Sequence, residues 1–270
     1  MVTRTGRCWP WLAVLAACGG AAPDYVAPAA VAWDPIDDVC IVANQDGSLA
    51  RERPDGSRER FWIRLGPRAA APGAAALAVA GDRLWLACGA ALHGFARATG
   101  APIGVVDVPG ATALTAVAAD EDGVLWCADA ATIWRAPAAA GPPFAAPVPV
   151  LQDQDLGGPV ALVARRASVY VVARDGRFYS VDAQGRRTDL VTLPDARPTG
   201  LARGVAEDGR AVWFVADEAG GGRLHRLDSG GGSQLVPGAV PAPGELDFDA
   251  RRGVLLVPLR SANRIERVRP

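Results

Sequence analysis

Leu125-Trp126-Cys127-Ala128-Asp129 is a short apolar run that ends in alanine and a polar residue, and it has counterparts along the chain. They are Val39-Cys40-Ile41-Val42-Ala43-Asn44, Leu84-Trp85-Leu86-Ala87-Cys88, Val169-Tyr170-Val171-Val172-Ala173-Arg174, Val212-Trp213-Phe214-Val215-Ala216-Asp217 and Val254-Leu255-Leu256-Val257-Pro258-Leu259. With Ala43, Ala87, Ala128, Ala173, Ala216 and Pro258 as markers, the spacings are 44, 41, 45, 43 and 42 residues. A period this regular identifies a repeat architecture.

Each marker strand keeps the same company. A shorter apolar strand and an Asp- or Gly-bearing turn precede it, as in Val117-Ala118-Ala119-Asp120 followed by Glu121-Asp122-Gly123. Such turns suit tight hairpins. A third strand follows, as in Phe178-Tyr179-Ser180-Val181-Asp182, and then a fourth, as in Asp189-Leu190-Val191-Thr192-Leu193. Four strands every forty-odd residues, with no competing helical period, predict an all-β, six-bladed β-propeller with four-stranded blades over residues 24–270. The sixth unit runs out at Pro270 after its third strand. Asp24-Tyr25-Val26-Ala27 is therefore expected to complete the last blade as its fourth strand, so that no edge is left open.

The N-terminus reads differently. Arg4 and Arg7 precede an apolar stretch from Cys8 to Ala17, far shorter than the roughly 20 residues a spanning helix needs. It has the form of an export signal, residues 1–17. The stretch ends in Leu15-Ala16-Ala17-Cys18, which resembles the lipobox of bacterial lipoproteins. The resemblance implies that Cys18 receives a lipid and becomes the new N-terminus, with residues 18–23 as a short tether. The expected location is the bacterial envelope, periplasmic or outer-membrane associated, with the membrane as a partner through that lipid. About six tether residues reach at most roughly 20 Å, which would hold the propeller close to the bilayer.

Bulk composition narrows the function. The chain carries 28 basic and 29 acidic residues, a formal charge of −1, and all its basic residues apart from two histidines are arginines. That balance supplies no footprint for nucleic acid. The chain is expected to be monomeric. His93 and His225 both fall in third strands and read as blade packing, and no nucleophile elbow or H-E-x-x-H motif accompanies them. Cys40, Cys88 and Cys127 lie in marker strands at different offsets, without zinc spacing, and read as buried free thiols. Trp85, Trp126 and Phe214 share one register and predict an aromatic layer between blades. Gly220-Gly221-Gly222 reads as a mobile hairpin tip.

Leu125-Trp126-Cys127-Ala128-Asp129 resembles the core of NHL repeats. Pro198-Thr199-Gly200-Leu201, followed by Glu207-Asp208-Gly209, resembles a blade of the gluconolactonase/regucalcin-like propellers. That resemblance extends over residues 25–270 at the level of the superfamily. It implies a divalent metal, held at the channel mouth by a Glu, two Asn and an Asp. Carried over residue by residue, Val26 stands at the Glu position, Thr199 at one Asn and Glu245 at the Asp, and the second Asn has no match. Calcium prefers several charged oxygen ligands, so no metal or other cofactor is expected.

Propeller geometry places a ligand site where marker strands end and first strands begin. The residues predicted there are Asn44, Asp129, Arg174, Thr199, Asp217, Glu245 and Arg260, with Asp46, Asp175, Glu218 and Asn263 around them. Mixed charge at one channel mouth suits a small polar ligand or an envelope protein. The sequence thus predicts a non-enzymatic binding or interaction module. The alternative is a divergent metal-dependent lactone hydrolase with a site rebuilt from Asp129, Asp217 and Glu245, and calcium or another divalent ion as its cofactor. A third reading is a passive envelope scaffold.

Overall fold

The computed structural model describes residues 25–65, 76–137, 144–206, 208–228 and 230–270. The export signal, Cys18, the tether and Asp24 lie outside the described residues.

Six antiparallel sheets follow one another along the chain. Blade one is β1 (Pro28–Asp34), β2 (Val39–Asn44), β3 (Ser48–Glu52) and β4 (Arg58–Arg64). Blade two is β5 (Ala76–Ala80), β6 (Arg83–Cys88), β7 (Ala91–Ala96) and β8 (Pro102–Asp107). Blade three is β9 (Ala116–Ala119), β10 (Leu125–Ala128), β11 (Thr132–Ala136) and β12 (Val148–Gln152). Blade four is β13 (Pro159–Arg165), β14 (Ser168–Ala173), β15 (Arg177–Asp182) and β16 (Arg187–Thr192). Blade five is β17 (Pro198–Val205), β18 (Ala211–Asp217), β19 (Arg223–Leu227) and β20 (Ser233–Val236). Blade six has β21 (Asp247–Asp249), β22 (Val254–Leu259) and β23 (Arg264–Val268). The marker runs are the second strands, and they are buried along nearly their whole length because both of their faces pack on neighbouring blades.

That packing forms six buried clusters among the described residues, one at each seam. Trp85 and Cys127 pack between blades two and three, and Trp126 and Tyr179 between three and four. Phe214 meets Leu255 and Val257 between blades five and six. The aromatic layer is therefore core, as its register predicts. Cys40, Cys88 and Cys127 are free and buried, and desolvation pushes the Cys40 and Cys127 thiols up to about 11 and about 12.

Ring closure departs from the expectation. Tyr25, Val26 and Ala27 do not pair with β23, and blade six has three strands among the described residues. Ala27 takes a positive φ of 45°, which breaks the extended path a fourth strand would need. The Tyr25 ring instead enters the seam between blades six and one, beside Val31, Cys40, Val254 and Leu256. The amides of Val26 and Ala27 donate to the side chains of Asn44 and Asn263, at 3.1 and 2.7 Å.

A polar latch completes the seam. Tyr25 Oη donates to Glu52 Oε2, Arg58 Nε meets the same oxygen at 2.7 Å, and Arg267 of β23 binds Oε1 at 2.6 Å. Deeper in, Val31 N donates to Glu245 O at 3.1 Å and Glu245 N donates to Ala29 O at 2.9 Å. At the first-hairpin end, both terminal nitrogens of Arg252 bind Asp38 at 2.7 Å. Burial opposes the charge on Glu52, but the bonds from Tyr25, Arg58 and Arg267 outweigh it and hold the carboxyl below its usual range. A depressed carboxyl stabilises the fold above its unfolded-state value and loses that effect as pH falls through the folded one.

Tyr25→Phe should keep the ring in the seam but remove its hydroxyl, lowering stability by about 1–2 kcal/mol. Glu52→Ala should cost more, because it strips the partner from two arginines and the phenol together. Urea unfolding at neutral pH would show both losses, and the Glu52→Ala penalty should shrink as the titration is repeated towards acid.

Candidate functional site

Most of the side chains predicted at the channel mouth are engaged in building the blades. Asn44, Asp129 and Asp217 occupy one register, at the ends of the second strands of blades one, three and five. Each ties the turn after its strand or the segment leading into its blade. Asp217 Oδ1 accepts the amides of Arg197 and Ala219, both at 2.8 Å. Asp129 Oδ1 accepts those of Ala131 and Thr132 at 3.0 and 2.9 Å, and its Oδ2 faces the Thr112 amide at 3.3 Å. Asn44 accepts from Val26 and donates to Ser48 Oγ at 3.1 Å. A side chain whose lone pairs are held by backbone amides is a turn-former first. The structure does not assemble these three into one site.

The outer candidates behave similarly. Asp46 caps Ser48, and Asp175 pairs with Arg177 at 2.7 Å. Arg260 pairs with Glu218 at 3.1 Å, the one pair of predicted residues joined by an ion pair. The Arg174 side chain is exposed while its amide donates to Gly158 O. Asn263, at φ 50°, serves the latch. Of the glycine run, Gly220 and Gly221 are exposed, whereas Gly222 is packed: Val240 N donates to Gly222 O, and a Cβ on Gly222 would lie 2.1 Å from Val240 O.

His225 proves to belong to a buried cluster. Its Nε2 lies 3.0 Å from Asp217 Oδ2, which also binds Arg223 at 2.5 Å. Asp217 has no exposed surface. Burial raises its pKa, and the bonds from His225, the two amides and Arg223 more than reverse this, so the carboxyl stays charged. Among the described residues the partner of the His225 ring is Asp217, an acid beside an imidazole.

Two other carboxylates are placed for ligand chemistry. The first strands of all six blades surround an axial cavity of about 330 Å³. Its lining runs from Glu245, Leu201 and Leu77 to Pro35, Ile36, Gly81, Asp120 and Glu121. The latter belong to the hairpins joining first and second strands, so the cavity reaches the face opposite to the one predicted. Blades five and six approach closely beside Glu245, where the missing Cβ of Gly200 would stand 2.7 Å from Gly244 O and 2.8 Å from Glu245 Cα. Only glycine permits this approach of two backbones.

Glu245 is 8% exposed, and its Oε2 has no hydrogen-bond partner. Desolvation raises its pKa well above the usual range, the Leu77 N–H works against that, and Asp247 adds to it. Asp247 lies two residues on, accepting Trp33 N and Phe248 N at 2.7 and 2.8 Å. Burial still pushes its carboxyl up to about 6. Thr199, next to Gly200, has a second buried and unpartnered oxygen. Thr199 does not line the cavity, whereas Glu245 does and the structure adds Asp247 beside it. A signal for it existed in the repeat. Asp247 pairs opposite Leu256, where Ala32, Ala78, Ala118 and Ala202 pair opposite Ile41, Trp85, Trp126 and Phe214.

A divalent ion does not fit these residues. Val26, at the position of the required Glu, offers no side-chain donor. Among the described residues no three His, Cys, Asp or Glu side chains gather to hold a metal ion.

No protein-family model matches the chain, and none of the curated proteins compared matches it. Solved structures do match in fold. An auxiliary nutrient binding protein from Bacteroides thetaiotaomicron shares 9% identity at a TM-score of 0.71, over 90% of this chain and 69% of that one. XC5397 from Xanthomonas campestris, a gluconolactonase, shares 18% identity at a TM-score of 0.66, over 87% and 84%. U3-55K shares 12% at a TM-score of 0.68, over 87% and 88%. Identities this low establish the propeller architecture alone.

Two outcomes check these assignments. Asp217→Ala should destabilise the fold by about 3–5 kcal/mol, because it leaves Arg223 and two amides unpaired. Calorimetry would register this as a Tm lower by about 10 °C or more. Glu245 carries the opposite sign. Its folded-state pKa is raised, so the native chain holds a proton that the unfolded chain releases, and stability falls as pH rises above the ordinary glutamate range. Glu245→Gln should therefore raise Tm at pH 8 and change it little at pH 4.

Proposed function

We propose that this chain is an exported, lipid-anchored propeller of the bacterial envelope that binds a small ligand in its central channel and catalyses no reaction. The observation that carries the reading is Glu245: a carboxylate buried in the axial cavity with one oxygen unpartnered. Leaving such a group unpaired costs free energy that an alanine at the same place would not. A ligand that donates to Oε2 recovers that cost, and the rigid ring of first strands holds the group ready for it.

The N-terminal sequence supports the envelope setting. Arg4, Arg7, the apolar stretch and Leu15-Ala16-Ala17-Cys18 together have the form of a lipoprotein leader. The likeness in fold to a nutrient binding protein fits a ligand-carrying role. Hydrolysis is less well supported, because Asp129 and Asp217 are held in turn and ion-pair bonds and have no metal-ligating neighbours.

Two measurements test the reading. Expressed in a bacterium fed labelled fatty acid, the full chain should take up label in the membrane fraction, and Cys18→Ser should abolish it. A thermal-shift screen of small polar compounds should yield stabilisers that lose their effect in Glu245→Gln. Enzyme-like turnover of sugar lactones by the purified chain would overturn the non-enzymatic reading.

A further inference from the structure

The charged residues that line the channel are Asp120, Glu121, Glu245 and Asp247. All four are acidic, in a chain with 28 basic residues. They are spread along the cavity instead of gathered. Glu245 pairs beside Ala30 near the start of β1, and Asp247 follows two residues further along the axis. Asp120 and Glu121 follow the end of β9, at the open end. Ala116, which opens β9 level with Glu245, is four residues before Asp120, so Asp120 lies roughly 13 Å beyond Glu245 at the strand rise, with Asp247 between them.

The rest of the wall is largely apolar. Leu77, Val117, Leu162, Val163, Leu201 and Leu246 supply it. Acids are available at both ends. Glu245 keeps Oε2 free. Asp120 spends only Oδ1, on the amides of Asp122 and Val124, whereas Glu121 is engaged at both oxygens, Oε1 lying 3.6 Å from Arg165 and Oε2 accepting the Arg166 amide at 2.9 Å. A metal ion requires its oxygens within one coordination shell, and no such group exists among the described residues. An anion would meet only carboxylates. The cavity matches a slender chain with positive charge at separated points and methylenes between them.

We propose that the channel binds a linear aliphatic polyamine, entering from the first-hairpin face, with one ammonium at Glu245 and Asp247 and another at Asp120. This rests on the reading of the channel as the ligand site and names the class of ligand it takes. Ammonium groups donate and never accept, which suits the unpartnered Oε2 and the surrounding acids. Glu245 holds a proton in the empty channel, and an ammonium beside Oε2 favours its release, so that a buried charge pair forms on binding and supplies affinity. The apolar wall excludes strongly hydrated inorganic cations.

The test is calorimetric titration of the full chain, purified in mild detergent, with spermidine, 1,4-diaminobutane, butylamine and magnesium. Spermidine should bind at one site and more tightly than butylamine, and excess magnesium should displace it only weakly. Glu245→Gln should weaken spermidine by about tenfold or more, since it removes one partner of a desolvated charge pair. Asp247→Asn should act in the same direction, and circular dichroism on both variants would confirm that the blades are intact. Equal affinity in the wild type and both variants would overturn the proposal, as would butylamine binding as tightly as spermidine or complete displacement by equimolar magnesium. If no amine binds while the thermal-shift screen finds another ligand sensitive to Glu245→Gln, the polyamine assignment fails and the channel site stands. If no ligand of any class depends on Glu245, both fail.

Discussion

The seam between blades six and one is the constraint on which the rest depends. A ring of sheets buries its faces only when closed, and five of its seams join units that the chain already connects in sequence. The sixth brings together segments more than 200 residues apart, such as Tyr25 and Val254 in one buried cluster. No shared strand spans it among the described residues. Apolar packing is joined there by Glu52, which collects Tyr25, Arg58 and Arg267. Bonds of this kind are strong because the carboxylate is 3% exposed and each donor is charged or itself confined. The Arg252–Asp38 pair at one end and the Glu245 backbone bonds at the other extend the latch along the axis. Closure therefore rests on directional polar contacts, which hold their geometry only when both blades are complete.

The acidic residues divide by what meets their oxygens. Asp129 and Asp217 accept from amides within their own blades and from the segments leading into them. Each fixes a turn that would otherwise leave buried amides unpaired. Glu245 and Asp247 lie on the inner edge of blade six, where the first strands expose backbone to the channel. Asp247 uses both oxygens on amides there, whereas Glu245 has one oxygen left over. The scaffold role and the ligand role thus fall to the same residue types. What separates them is the number of local donors.

How much of this the sequence discloses follows from the range of each interaction. The blades are legible because Ala43, Ala87, Ala128, Ala173 and Ala216 each mark a strand whose three blade companions are close in sequence. Burial of Trp85, Trp126 and Phe214 is legible for the same reason, since a shared register implies a shared seam. The turn role of Asp217 is less visible. Its partners Ala219, Arg223 and His225 are near in sequence, but the Arg197 amide comes from the segment before β17. The channel was least visible. Asp247 and Glu245 act across the axis on Trp33 and Leu77, residues about 200 positions away that share no pattern with them. The close approach of blades five and six at Gly200 is backbone against backbone and leaves only a glycine as its trace. The cavity lining reaches the first-hairpin face, opposite to the one predicted.

The electrostatics of the channel bear on why blade six differs from the rest. Blades one, two, three and five place alanine opposite the large residue of the second strand, and blade six places Asp247 there. An alanine would pack without desolvating a charge, and Trp33 N would then have to find its partner in water within the cavity. Asp247 answers that need, so its presence is explained by the fold. Glu245 is not explained in this way. Its backbone already makes both seam bonds, and glutamine would accept the Leu77 N–H equally well while avoiding a buried charge. The carboxylate has an advantage over the amide only when something positive or strongly donating occupies the channel, because only then does the charge gain more than desolvation removes. The stability of the empty ring and the affinity of the filled one pull this single residue in opposite directions.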